Sequence, residues 1–365
     1  MKFSRWLVLG LLLVSQLGCP VSEKDSGTES GAGGTGESAS LPPIKVVAFD
    51  EHDETLQAII DGEMHGTVVQ NPYMYGYKSV EVLKTLADGG ELPENEGSFF
   101  DLPARQIRSD NAAEFWADKK KKLATGDGEA EFDENRKSVA FVTNCIDPFW
   151  TIAAAGAKAA GREMDVNVLL RFPPNGKVED QKSILESLLV KDDVTGIAVT
   201  PINPDNQEEI LNQIGQSKDF VTHDSDAPNT NRKLYIGMNN YDAGRMAGKL
   251  VKEAMPEGGS VMIFVGRLGQ LNAEQRRQGV IDELLDRSRD LSRRDPNDSI
   301  IEGEKYTILG TKVDDTDKAK AKQNAQDTIS KYPDIGCMVG LFAYNPPLCL
   351  QAIKEAGREV RPEAE

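Results

Sequence analysis

The chain has 365 residues, 39% of them hydrophobic and 28% charged, which is enough for two packed lobes. Its formal net charge of -17 and pI near 4.8 argue against nucleic acid or an anionic membrane surface as partner, since both need a basic patch. The acidity serves solubility and does not point to a ligand.

Residues 1–19 carry Lys2 and Arg5, an apolar run from Trp6 to Val14, and the small-residue ending Leu17-Gly18-Cys19. That is the pattern of an export signal, and its apolar run is too short to cross a bilayer as a stable helix. The ending resembles a bacterial lipobox, which implies that Cys19 takes a lipid and that the chain meets a membrane only through that anchor. Secretion without lipid is the alternative. Residues 20–43 are rich in Ser, Gly, Glu and Thr and read as a flexible tether. The GxGxxG spelled at Gly31–Gly36 has no strand before it and no helix after it, so it is linker composition rather than a dinucleotide loop.

From Ile44 the pattern becomes regular: a strand IKVVAF ending at Asp50, a helix with Leu56, Ile59 and Ile60 on one face, a strand His65 to Val69 ending at Gln70, and a helix from Tyr73. Phe99 to Ile107 reads as one short extended piece, followed by a helix over Asn111 to Lys122. Residues 123–136 are polar and glycine-bearing, as a linker would be. Next, Ser138 to Val142 is a strand whose polar turn, Thr143 to Asp147, opens into Pro148-Phe149-Trp150 and an alanine-rich helix. Strands and helices then alternate to the end: GIAVT, a helix through Ile210 and Ile214, Phe220 to Thr222, Leu234 to Gly237, a helix Tyr241 to Ala254, SVMIFVG, a helix through Ala273 and Leu284, YTIL, a helix Asp317 to Tyr332, Cys337 to Phe342, and a last helix. Such alternation implies parallel sheets with right-handed crossovers, an α/β doubly wound fold.

Cys19, Cys145, Cys337 and Cys349 show no CxxC spacing, and His52, His65 and His223 have no helical metal-ligand spacing. These counts argue against a disulfide framework or a structural metal.

The pieces TNCIDPFW, VTHDSDAPN, IGMNNYDAGRMAG, FVGRLGQLNAEQRRQGV, LFAYNPP, VVAFDEHDETLQAI and TVVQNPYMYGYKSVE together resemble the ribose-type periplasmic sugar-binding proteins of ABC transporters. In that family VVAFD and VVQNP follow the LFAYNPP unit, whereas here they precede the family's first strand at Ser138. The resemblance therefore implies a circular permutation of a periplasmic binding protein-like fold. Residues 44–70 would belong to the second lobe, 71–103 to the first, 104–122 to the second, 137–254 to the main part of the first, and 255–365 to the main part of the second. Residues 123–136 would bridge the old ends. Crossovers are expected near Gln70 to Pro72, Leu102 to Pro103 and Ala254 to Ser260. Ile44 to Phe49 should lie parallel to Cys337 to Phe342, with Glu365 near Leu41.

A sugar presents hydroxyls and apolar C–H faces, so its site needs ring planes and groups that bond hydroxyls in pairs. The resemblance implies ligand contacts from Thr143, Asp147, Phe149, Trp150, Asp224, Arg276, Asn345, Asp50 and Gln70. Each has a plainer reading. Phe149 and Trp150 are also what a core helix start looks like, Asp224 is good turn chemistry, and Arg276 and the adjacent Arg277 could be solvated helix charges. The Thr316 position is one where relatives can place an aromatic, so stacking from that side is not expected. His52 and His223 read as supporting or surface groups, and Tyr73, Tyr75 and Tyr77 as packing near the hinge. The implied activity is capture of a ribose-like pentose or a hexose by a monomeric two-lobe clamp, without cofactor or catalysis, for delivery to an ABC transporter permease in the periplasm. A receptor role for a sugar or furanose-like signal is the alternative. A glycosidase built on Asp50, Asp147 and Asp224 is disfavoured because Arg276 would keep the carboxylates ionised.

Overall fold

The computed structural model describes residues 41–92, 98–128 and 132–360. The export signal, Cys19, Glu365 and the tether up to residue 40 lie outside the described residues. In chain order the elements are β1 (Lys45–Phe49), α1 (Asp53–Ile60), β2 (Gly66–Val69), α2 (Pro72–Ala87), β3 (Phe99–Asp101), β4 (Arg105–Ile107), α3 (Ala112–Ala124) and β5 (Ser138–Val142). There follow α4 (Pro148–Glu163), β6 (Asn167–Arg171), α5 (Val178–Leu189), β7 (Val194–Val199), α6 (Pro204–Ser217), β8 (Asp219–His223), β9 (Leu234–Gly237) and α7 (Asn240–Ala254). The series closes with β10 (Gly259–Val265), α8 (Leu271–Leu284), β11 (Ile301–Glu302), β12 (Tyr306–Val313), α9 (Lys318–Lys331), β13 (Cys337–Gly340) and α10 (Asn345–Glu355).

Short β-branched runs buried on both faces make the strands, as parallel sheets covered by helices require. They form a seven-stranded sheet ordered β11-β12-β10-β13-β1-β2-β4 and a six-stranded sheet ordered β3-β9-β8-β7-β5-β6. β1 lies parallel to β13, with Lys45 opposite Cys337 and Val47 opposite Val339, the pairing expected for Ile44 to Phe49 and Cys337 to Phe342. Beside that pair the Ile44 amide donates to the Glu359 carbonyl at 3.0 Å. Several helices start where strands end, and a short polar side chain caps them there. Asp147 accepts from the Phe149 amide at 3.0 Å, Asn203 from Asn206 and Asn239 from Asp242, each satisfying a first-turn N–H.

Two sequence expectations are corrected. The stretch Phe99 to Ile107 is two short strands rather than one extended piece, β3 in the six-stranded sheet and β4 in the seven-stranded one, and the chain crosses between them at Leu102–Ala104, where a crossover near Leu102 to Pro103 was expected. The third crossover is not at Ala254 to Ser260 but at Met238–Asn239. Helix α7 buries Ala243, Ala247, Leu250 and Val251 with Val47, Phe49 and Val68 of the seven-stranded sheet, so it leaves the six-stranded half directly after β9.

Each half fixes its outer helices by close backbone approach. A Cβ on Gly76 of α2 would stand 1.8 Å from the Ala153 carbonyl oxygen of α4, and one on Gly156 of α4 1.9 Å from that of Tyr73. In the other half, a Cβ on Gly244 of α7 would stand 2.1 Å from the carbonyl oxygen of Arg276 in α8. Glycine is required at these points because no side chain fits between the helices. Gly244→Ala should therefore lower stability by about 1–3 kcal/mol through overpacking, read as a lower urea midpoint. A wild-type midpoint would show that α7 and α8 do not meet there.

Candidate functional site

The carboxyl edges of both sheets face a common cleft, which is where open α/β sheets build sites. β1 ends at Asp50, β2 at Gln70, β5 in the turn Asn144 to Asp147, and β8 at Asp224. Across from the last two, α8 brings Asn272 and Arg276, and β13 leads to Phe342 and Tyr344. All of these line a cavity of about 240 Å³.

Two aspartates dominate it. Asp50 and Asp224 both leave their strands in the left-handed region, with φ of 66° and 58°, a conformation that short polar residues tolerate better than most. Their main chains are pinned: the Asp50 amide donates to Val68 and the Asp224 amide to Ile236, while the Tyr235 hydroxyl donates to the Asp224 carbonyl at 2.8 Å. Both side chains are buried. Burial raises Asp50 to about 7, although Arg276 and a 2.6 Å hydrogen bond from the Gln70 amide oppose it. Burial likewise raises Asp224, against Arg276, Thr200 and Asn272.

Arg276 is only 2% exposed, so the solvated-charge reading fails for it. Its guanidinium stands 4.5 Å over the Phe49 ring, donates from Nε to Asn240 at 2.8 Å, and reaches Asp224 Oδ1 at 3.5 Å. Asn272, one turn earlier on the same face, donates to Asp224 Oδ2 at 3.2 Å. These contacts join α8 of one half to β8 of the other. A second bridge is Arg267, whose Nη2 donates to the Gly176 carbonyl at 2.6 Å and to Thr316 Oγ1 at 2.7 Å.

The aromatic wall is Phe149 and Trp150, edge to face with centroids 4.9 Å apart. Trp150 is 3% exposed and held from behind, its indole donating to Asn144 at 2.8 Å and its ring packed against His223. Phe149 is the less buried ring. Asp147 caps α4 and faces Lys318 across the cleft at 3.9 Å.

Seven of the expected residues, Asp50, Gln70, Asp147, Phe149, Trp150, Asp224 and Arg276, line the cavity. Thr143 and Asn345 do not. Thr143 is fully buried and donates to the Cys145 carbonyl, and Asn345 turns inward to donate to Asp314 at 2.9 Å. Asp314, raised to about 6 by burial, also accepts from the Tyr344 hydroxyl at 2.5 Å and so braces that wall from below. Sequence reasoning passed over Asn272, Gln270, Tyr344 and Phe342. The spacing of Asn272 and Arg276 was the available signal. Gln270 is 1% exposed and its Nε2 has no hydrogen-bond partner among the described residues. Cys145 lines the cavity, but burial pushes its thiol up to about 12, which leaves it unreactive. His223 is fully buried, stacked 4.2 Å from the Phe141 ring and lowered to about 3, a packing group rather than a ligand contact.

The family profile described as "Periplasmic binding protein domain" matches residues 22–91 and 139–363, more than half of the chain. The chain belongs to the periplasmic binding protein family. Ribose import binding protein RbsB of Haemophilus influenzae is 21% identical over 231 residues, which span 61% of this chain and 70% of that protein. A solved ABC transporter solute-binding protein from Burkholderia graminis, in complex with D-arabinose, is similar with a TM-score of 0.55 and 26% identity, covering 62% of this chain and 74% of that one. A glucose-galactose binding protein from Geobacillus stearothermophilus shares the fold, with a TM-score of 0.54, 22% identity, and coverage of 62% and 75%.

The raised carboxyl of Asp50 sets a pH dependence. With a folded pKa near 7 against 3.8, the native state binds more protons than the unfolded chain between about pH 4 and 7, so this group lowers stability as pH rises through that window. Asp50→Asn removes the titration and keeps a residue that accepts positive φ. Its melting temperature should rise relative to wild type from pH 4 to 8; a constant difference would mean that Asp50 does not titrate abnormally.

Proposed function

We propose that this chain captures a monosaccharide of ribose-like pentose or hexose size in the cleft and delivers it to an ABC transporter permease without making or breaking a bond. The observation that carries this reading is the cleft's imbalance of polar groups. Asp50, Asp147 and Asp224 offer carboxylate oxygens to one guanidinium, the Lys318 ammonium and a few amides, beside the exposed side of an aromatic ring. A polyhydroxyl ligand supplies many donors in a small volume and an apolar face, which is what such a lining lacks. Arg276 and Gln270 can in turn donate to hydroxyl oxygens. The named ligands of the relatives, ribose and D-arabinose among them, support a sugar of this size.

Ligand held by Asp224 on one half and Arg276 on the other favours the closed clamp through contacts that an open clamp cannot make. The family setting supports action outside the cytoplasmic membrane, and the lipobox-like ending Leu17-Gly18-Cys19 is what favours a tether through Cys19. The arrangement of β1 between β13 and β2 supports reading the segment order as a circular permutation.

A thermal-shift panel of pentoses and hexoses tests the proposal. One sugar at about 100 times its dissociation constant should add roughly 2.7 kcal/mol to stability. Arg276→Ala and Phe149→Ala should each melt cooperatively and lose that shift. No shift with any sugar, or turnover of nitrophenyl glycosides, would sink the reading.

A further inference from the structure

Beside the cleft lies a second cavity of about 450 Å³, larger than the first and sharing Asp50, Ile146, Asp147, Phe149 and Ala343 with it. Its remaining wall comes from residues that do not line the cleft: Lys119 and Leu123 of α3, Pro148, Thr151 and Ile152 of α4, and Glu51, His52 and Asp53 after β1. One side is apolar. Ile146, at the boundary, is 68% exposed, an unusual placement for a large apolar side chain.

The other side is polar and incompletely satisfied. Glu51 is 5% exposed, yet its Oε2 has no hydrogen-bond partner among the described residues, and neither has Nδ1 of His52. Lys119 does not answer the Glu51 carboxyl, because its ammonium donates to the Glu51 carbonyl at 2.5 Å and to Asp53 Oδ1 at 2.7 Å. Burial and the neighbouring Asp50 raise Glu51 to about 8 against the pull of Lys119. An unpartnered buried carboxyl oxygen costs free energy unless something bonds to it.

Resting on the reading of the cleft as a sugar site, we propose that the sugar carries a substituent: the ring occupies the cleft, and an apolar group ending in a hydrogen-bonding function fills the second cavity beside Glu51. Phe149 then serves both, one face toward the sugar and its edge toward the substituent. The volume lies in the range of small-molecule sites, and its apolar lining gives such a group binding energy that a free monosaccharide forgoes.

Calorimetric titration tests this with D-ribose, D-arabinose, D-glucose and D-galactose and with their phenyl and para-aminophenyl glycosides in both anomeric forms. One glycoside should bind wild-type protein about tenfold or more tighter than its parent sugar. Leu123→Trp and Thr151→Trp fill only the second cavity. They should erase that gain and leave binding of the free sugar unchanged, which also reports that they are folded. Free sugar binding with every glycoside equal or weaker would overturn the substituent and spare the sugar site. If neither free sugars nor glycosides bind, the sugar reading fails and this inference falls with it. A gain that survives both fillings would also overturn it, since the substituent would then lie elsewhere.

Discussion

The cleft depends on one buried cation. Arg276 is fixed by Asn240, by the Phe49 ring and by Asp224, and its charge opposes the burial penalty on both Asp50 and Asp224. Buried ion pairs seldom stabilise a fold on balance, because the cost of removing two charges from water rivals their attraction. Their usefulness lies elsewhere. Here one member sits on α8 and the other after β8, so the pair is made only when the two halves are brought together, and a ligand that bonds both members acts on the same geometry.

That geometry is set by backbone as much as by charge. α8 approaches α7 so closely that Gly244 meets the main chain of Arg276 itself, and the guanidinium therefore inherits its position from a helix crossing rather than from a flexible stem. On the facing side, Asp224 is pinned through its amide and its carbonyl in the left-handed region. Non-glycine residues held at positive φ commonly mark functional turns, because the surrounding structure must overdetermine them. Asp50 repeats the arrangement at the end of β1.

Much of this was legible in the sequence, since strand ends are easy to find and cleft residues lie one position beyond them. The runs VVAF, TVV and FVTH each stop at a polar residue, and Asp50, Gln70 and Asp224 follow directly. Direction was less legible. Thr143 follows β5 and Asn345 opens α10 beyond β13, but hydrogen bonds to Cys145 and Asp314 turn them into the protein, and nothing in their local spacing encodes partners so placed. The crossing inside FFDLPARQI was legible only through the family resemblance, because by pattern alone two three-residue strands look like one extended segment until their partners, β9 and β2, are known. Helix α7 misled because its apolar face fits either sheet, and only the packing of Ala247, Leu250 and Val251 against the seven-stranded sheet decides between them.

Gln70 shows how site and hinge become one structure. It stands on the crossing from β2 to α2, where the chain passes between the halves. Its amide nitrogen donates to Asp50 at 2.6 Å and its oxygen accepts from the buried hydroxyl of Tyr75 at 3.0 Å. Asp50 belongs to the seven-stranded half, whereas Tyr75 packs into the core of the six-stranded half. A rotation about this crossing must therefore strain or break one of the two bonds, and all three partners are buried, where a lost hydrogen bond costs most. The carboxyl that faces the cleft is thus coupled through a single amide to the angle between the halves. A ligand that bonds Asp50 therefore changes the cost of that rotation.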